Sequence, residues 1–426
     1  MKKAFINCTL LDGSENMTAQ ENMTIIEENG TILSVEKNGS AEDCEKVYDL
    51  KGKFLMPGLI NLHVHLPAGG RPKKKQSDSA KLAKILLSNP VTRAAAMKMC
   101  ENYAKTELLS GVTTIRTVGG ASNFDTQIRD KINAGNLSGP HILASNMGVS
   151  VPGGHMAGSV AYAAQSTEDA VNFVKKVAAE KPDLIKLMIT GGVLDAKVKG
   201  EPGEMKMSEE CIKACCDEAH KLGFKVAAHT ESPEGVKAAL KNGVDTIEHG
   251  AKADPEMIEL FKEKNAALVC TISPALPYAL FDTEVSHASE MAQFNGRVVM
   301  DGIIDCAKQA LANGIPVGLG TDTGCPYITH YDMFRELVYF KKYVGVTNAF
   351  ALHTATMINA QIAGIDTATG SIVPGKCADM LITKENPLKD LKALREPFMV
   401  VCGGKVTEEP KIKKMKNVEK ELDKFL

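Results

Sequence analysis

The sequence lacks charge imbalance, long apolar runs and paired cysteines, and each absence removes a class of function. Lysine and arginine together number 50 against 52 aspartates and glutamates, a formal net charge of −2. Such neutrality offers no basic surface for a nucleic acid or for a membrane. No apolar run approaches the roughly 20 residues that a membrane helix needs. The 11 cysteines are odd in number and scattered. Without paired spacing or a secretory leader, they read as reduced thiols of a cytoplasmic protein. Even Cys211, Cys215 and Cys216 fall on a predicted helix, where cysteine serves as a small apolar side chain.

What is present is ordinary globular composition on a long chain, 44% hydrophobic and 24% charged over 426 residues. That length predicts a large barrel-type domain with a smaller companion. Residues 1–56 carry short strand-like runs, Lys3 to Leu11, Met23 to Glu28 and Thr31 to Lys37, broken by turn signals such as Asn29-Gly30. From Leu55 onward, short apolar strands alternate with longer helical stretches, the pattern of parallel βα units. Strands are expected near 55–65, 113–118, 141–146, 184–190, 225–230, 246–250, 267–273 and 317–322, the number that a (β/α)8 TIM barrel requires. Ser166 to Asp169 forms a capping box, and Ser208 opens a helix that stops at Gly223. After about residue 365 strand-like text returns, so residues 1–56 and 365–426 are expected to build one small β-sandwich around a barrel of residues 57–364. The Lys- and Glu-rich tail beyond Pro410 reads as a solvated helix. Two long connections, one beginning Arg71-Pro-Lys-Lys-Lys75 and one from Ser273 to Phe294, are placed over the barrel mouth. The lysine run reads as a solvated loop, or as a lid that attracts an anionic group.

Chemistry concentrates at the predicted strand ends. In Leu55-Met-Pro-Gly-Leu-Ile-Asn-Leu-His63-Val-His65, alternation along a strand turns both imidazoles to one face. Lys186, His229, His249 and Asp322 stand at or near the ends of later strands. In a barrel those ends form the active-site face. A packed barrel interior prefers branched aliphatics, and buried ionisable groups must find partners, so a metal centre accounts for these residues together. His155 lies in the glycine-rich loop Gly153-Gly-His155, where it could polarise a substrate carbonyl. His287 and His330 fall in or beside loops over the mouth, and Cys325 follows Asp322 as a pocket-lining thiol. His141, His220 and His353 read as structural.

Taken in order, Pro57 to His65, Gly111-Val-Thr-Thr114, Gly153-Gly-His155, Ile185-Lys186, His229, Thr246-Ile-Glu-His-Gly250, Gly320-Thr-Asp322 and Gly375-Lys-Cys-Ala-Asp379 resemble the amidohydrolase superfamily. Within it the resemblance is to the imidazolonepropionase-like and prolidase-like metal-dependent hydrolases. It implies two divalent metal ions, zinc in most relatives: His63, His65 and Asp322 on one, His229 and His249 on the other, with a CO2-derived carbamate on Lys186 bridging them. It also implies an oligomer, and hydrolysis of a small amide by a hydroxide shared between the metals, with Asp322 as general base then acid. Prolidase-like relatives often carry a tyrosine soon after the fifth-strand histidine and a basic residue after the Gly-Gly-His loop. Here the text is His229-Thr-Glu231 and His155-Met-Ala-Gly158. Glu231 would repel a substrate carboxylate and favour a cationic or donor group. The expected substrate is therefore a dipeptide such as Xaa-Pro, a basic dipeptide, or an N-acyl or other amide. The alternatives are hydrolysis or deamination of a cyclic amide or amidine, against which Lys186 speaks, and a non-catalytic scaffold, against which the retained ligand set speaks.

Overall fold

The computed structural model describes residues 1–72 and 78–426, so Lys73 to Lys75 of the lysine run lie outside the described residues. Eight parallel strands follow the expected order: β1 Leu59–Val64, β2 Val112–Thr117, β3 His141–Leu143, β4 Leu184–Met188, β5 Lys225–Thr230, β6 Thr246–His249, β7 Ala267–Cys270 and β8 Val317–Leu319. β1 to β3 form one hydrogen-bonded sheet, and β4 to β8 form another, extended by the short strands Gly148–Ser150 and Ala161–Ala163. The ring is joined between β8 and β1 by the Asp322 amide, which donates to the His63 carbonyl at 2.9 Å. Between β3 and β4 it is joined by the Asp183 amide on the Ala144 carbonyl at 2.7 Å. β1, β2, β4 and β6 are buried along their whole length, as expected for parallel strands covered on both faces.

The surrounding helices start where their caps dictate. Ser166, Ser208, Ser232, Asp254 and Ser289 each accept a hydrogen bond from a backbone amide in the first turn. Helix Glu209–Lys221 buries Cys211, Cys215 and Cys216 among apolar neighbours, as expected for cysteine used as a hydrophobe. No helix among the described residues is long and apolar enough to cross a membrane.

Both chain ends meet in one sheet. Its order runs Lys405–Glu408, Met399–Cys402, Met380–Thr383, Phe54–Pro57, Lys2–Leu10, Gln20–Glu28, Thr31–Lys37, and Lys46–Asp49 also pairs with Lys2–Leu10. Phe5, Leu10, Ile25, Ile32, Met380 and Val401 belong to a core of its own.

Two expectations need correction. The single strand expected over 55–65 is two. Phe54–Pro57 pairs antiparallel with Met380–Thr383 in the terminal sheet, and Leu59–Val64 enters the barrel. The break falls at Gly58, where a Cβ would stand 2.1 Å from Thr113 Oγ1, after a proline that has no N–H to give a ladder. The tail helix Lys416–Leu422 is docked rather than solvated. Val418 and Leu422, one turn apart, are buried, while Glu419 and Asp423 clasp Arg335 and Arg395. A charge-rich reading of the tail hides an i, i+4 apolar pair.

Candidate metal centre

The carboxyl ends of β1, β5 and β6 deliver His63, His229 and His249, the middle of β4 carries Lys186, and His65 and Asp322 follow the ends of β1 and β8. His63 lies 5.3 Å from His65 and 4.8 Å from His249, and His249 lies 4.7 Å from His229, ring centre to ring centre. Asp322 Oδ1 is 3.2 Å from His65 Nε2 and 3.5 Å from His63 Nε2. Ligand atoms of His63, His249 and Asp322 lie within 4.8 Å of one another, as do those of His229, Glu231 and His249. Close approach is built in at Gly320, where a Cβ would meet the His63 Cβ at 2.4 Å. His249 and Asp322 hold left-handed backbone at φ 70° and 55°, uncommon for non-glycine residues and characteristic of functional sites.

Each imidazole is oriented by its other nitrogen. His65 Nδ1 donates to the Gly119 carbonyl at 2.8 Å and His229 Nε2 to the Gly191 carbonyl at 3.3 Å. His63 Nδ1 pairs with Glu248 Oε2 at 2.8 Å, and His249 Nδ1 with Thr271 Oγ1 at 2.7 Å. That leaves Nε2 of His63, His65 and His249 and Nδ1 of His229 as lone-pair donors, the arrangement in which metal-binding histidines are held. Burial drives His63 down to about 4 and holds His229 and His249 well below the usual imidazole value, so these rings are neutral. Burial opposes ionisation of Asp322, yet the imidazoles around it, His63 foremost, keep its carboxyl well below the usual range.

Lys186 tests whether the residues fit a metal centre. Its side chain is 1% exposed and its Nζ has no hydrogen-bond partner among the described residues. Burial first, and then the Arg116 charge, lower its pKa to about 8 against the pull of Glu248 and Asp322. A buried ammonium without a partner is costly, and a lowered pKa makes the neutral amine more accessible. The donor set of neutral imidazoles, one carboxylate and this amine fits divalent metals.

His155 stacks flat on His229, centroids 4.1 Å apart and 4° between planes, and its Nδ1 donates to Asp195 Oδ2 at 2.6 Å. Glu231 also reaches the centre. Burial, then the charges of Asp322 and Asp195, push its carboxyl up to about 8. Cys325 Sγ lies 3.7 Å from Asp322 Oδ2, and burial raises its pKa well above the usual thiol value, so it lines the site without being a thiolate. His287 ends the turn Thr283–Ser286 in left-handed backbone and joins neither ligand cluster. His330, expected among the substrate contacts, is corrected to a packing residue. It is 2% exposed, its Nδ1 pairs with Glu107 at 3.0 Å, its Nε2 donates to the Ala68 carbonyl at 2.8 Å, and its ring stacks on Tyr103.

Four residues that matter to the centre escaped the sequence reading. Glu248 accepts from His63, from Arg116 Nη2 at 2.7 Å and from Thr246 Oγ1 at 2.9 Å. The Arg116 and His63 bonds hold it ionised, far below the usual carboxylate range, although burial opposes this. Its signal was available, since Glu248 sits inside Thr246-Ile-Glu-His249 as a charge in an otherwise buried strand. Arg116 likewise is a charge in the buried strand β2. Asp195 carried no signal, because a loop residue becomes a partner only through folding, and Thr271 was a polar residue inside the strand expected over 267–273.

The sequence profile of the amidohydrolase family matches residues 54–407. A solved structure described as a “putative prolidase” from Bifidobacterium longum is 36% identical, covers 99% of this chain and 98% of its own, and superposes with a TM-score of 0.87. A Xaa-Pro dipeptidase with bound methionine in its active site is 28% identical, covering 96% of this chain and 100% of its own with a TM-score of 0.83. Ochratoxinase of Aspergillus niger is 27% identical over 388 residues, 84% of this chain and 76% of that protein. The chain belongs to the amidohydrolase family, among its prolidase-like members, and is a hydrolase.

Proposed function

We propose that the protein is a two-metal amidohydrolase that cleaves an amide C–N bond in a small substrate, a dipeptide such as Xaa-Pro or an N-acyl amino acid. The observation that carries this reading is Lys186, a buried amine with no hydrogen-bond partner among the described residues, within electrostatic reach of His63, His229, His249 and Asp322. His63, His65 and Asp322 would hold one metal and His229 and His249 the other. Lys186 would join them as a carbamate, its nitrogen bonding to the carbon of CO2 as a proton leaves. Divalent metals in such a site lower the pKa of water from 15.7 toward about 7 and polarise a carbonyl oxygen.

The chain's own groups do the rest. Asp322, ionised and beside His65, accepts the proton of the attacking water and passes it to the departing nitrogen. Asp195 fixes the His155 ring through Nδ1, which leaves Nε2 as the atom available to a substrate carbonyl oxygen. Glu248 fixes His63 in the same manner. The same proposal includes cytoplasmic residence and a homo-oligomer, to be checked by cell fractionation and sedimentation.

The test is elemental analysis and turnover of protein loaded with zinc and bicarbonate. Two metals per chain and activity on dipeptides or N-acyl amino acids, with none on deamination substrates, are expected. Lys186→Ala is expected to retain at most one metal and to lose activity. Full activity in that variant, or deaminase activity from a one-metal protein, would overturn the reading.

A further inference from the structure

We propose that Glu231 is itself a metal ligand, the third protein donor beside His229 and His249. The inference rests on the two-metal reading and adds to it a residue that the resemblance does not supply. The strand arithmetic is that of the first histidine pair. His63-Val-His65 puts two donors on one side of the end of β1, and His229-Thr-Glu231 does the same at the end of β5. Folding completes the set from β6, since ligand atoms of His229, Glu231 and His249 all lie within 4.8 Å of one another.

The Val193 backbone amide hydrogen-bonds to the Glu231 carboxylate, which leaves one oxygen to account for. Glu231 Oε2 is buried and makes no hydrogen bond among the described residues. A carboxylate so placed needs either a cation or a proton.

The surroundings favour an ion over a substrate group. The Glu231 amide is tied to Thr190 Oγ1 at 3.0 Å. The loop after β4 packs over its backbone, with the Cβ position of Gly203 only 2.4 Å from the Glu231 carbonyl. The Cβ position of Gly192 is 3.5 Å from Oε2 itself. A metal ion fits a donor set closed in this way, whereas an ammonium on a substrate must bring its carbon frame with it.

The experiment compares wild type, Glu231→Gln and Glu231→Asp, each first shown by thermal unfolding to be folded. Zinc is titrated against a chelator, and cobalt(II) is then loaded and its visible spectrum recorded. Expected are two zinc ions in wild type, loss of affinity by tenfold or more for one of them in Glu231→Gln, a changed cobalt spectrum, and partial recovery of both in Glu231→Asp. Two zinc ions bound at wild-type affinity in Glu231→Gln, with an unchanged cobalt spectrum, would overturn the inference. A KM that then rose only for substrates bearing a cationic group would make Glu231 a substrate contact. Fewer than two metals in wild type would overturn the parent reading instead, and this inference with it.

Discussion

His63 and His141 stand on strands of one barrel, each beside a carboxylate, and their chemistry runs in opposite directions. His63 in β1 is 1% exposed, pairs with Glu248, and is driven down to about 4. His141 opens β3 at the seam with the terminal sheet, lies 3.1 Å from Asp379, and is lifted to about 11 by hydrogen bonds to Asp379 and then Cys402. The difference lies in what each carboxylate already holds. Glu248 is engaged by Arg116 and Thr246, so it orients an imidazole without protonating it. The other partners of Asp379 are the Thr369 hydroxyl and the Gly403 amide, both neutral, and His141 supplies its cation. One region preserves lone pairs for a ligand, and the other preserves a proton for an ion pair that ties two layers together.

The contrast breaks most readily at the mouth. Asp322→Asn is expected to lower kcat on the order of 10²–10⁴-fold, the usual contribution of a general acid–base group, in metal-saturated protein with an unchanged fold. If turnover per folded molecule holds instead, Asp322 is not the acid–base group, since its backbone amide, which closes the ring between β8 and β1, is the same in the variant. A smaller effect is expected from Glu248→Gln, which leaves shape and removes the charge that orients His63. Competition with a chelator should show a loss of metal affinity of about 10–100-fold.

The smallest effect belongs to the seam. His141→Gln should cost about 1 kcal/mol or less at pH 7, because water reaches the half-exposed ring and screens the pair. The folded-state pKa of His141 is raised, so its contribution is fully present below the free-histidine value near 6.5 and is lost as pH rises through about 11. Urea midpoints of wild type and variant should therefore differ at pH 6 and converge near pH 11. A constant gap across that range would mean that His141 contributes through packing alone.

The barrel was legible because parallel strands buried on both faces read as apolar runs between amphipathic helices, and all eight were placed to within a few residues. The candidate metal ligands were legible as a group because polar residues at strand ends contradict the apolar rule of a barrel interior. His330 misled for the same reason in reverse. It is polar and near the mouth, but Glu107, some two hundred residues earlier, already occupies one of its ring nitrogens. Gly58 misled through continuity: Pro57-Gly58 is a local break signal, but the apolar text on both sides reads as one strand. Glu248 and Arg116 were visible as charges inside buried strands, yet their pairing with each other and with His63 was not.

By itself, then, the sequence determined what is local in this protein: strand periodicity, helix caps, and the residues able to donate to a metal at strand ends. Only the tertiary structure decided which imidazoles are neutral, that Lys186 and Glu231 Oε2 are buried without partners among the described residues, and that the tail helix is docked. Donor identity resides in a side chain and its neighbours in sequence. Protonation and satisfaction depend on burial and on charges brought from distant strands, which exist only once the ring has closed.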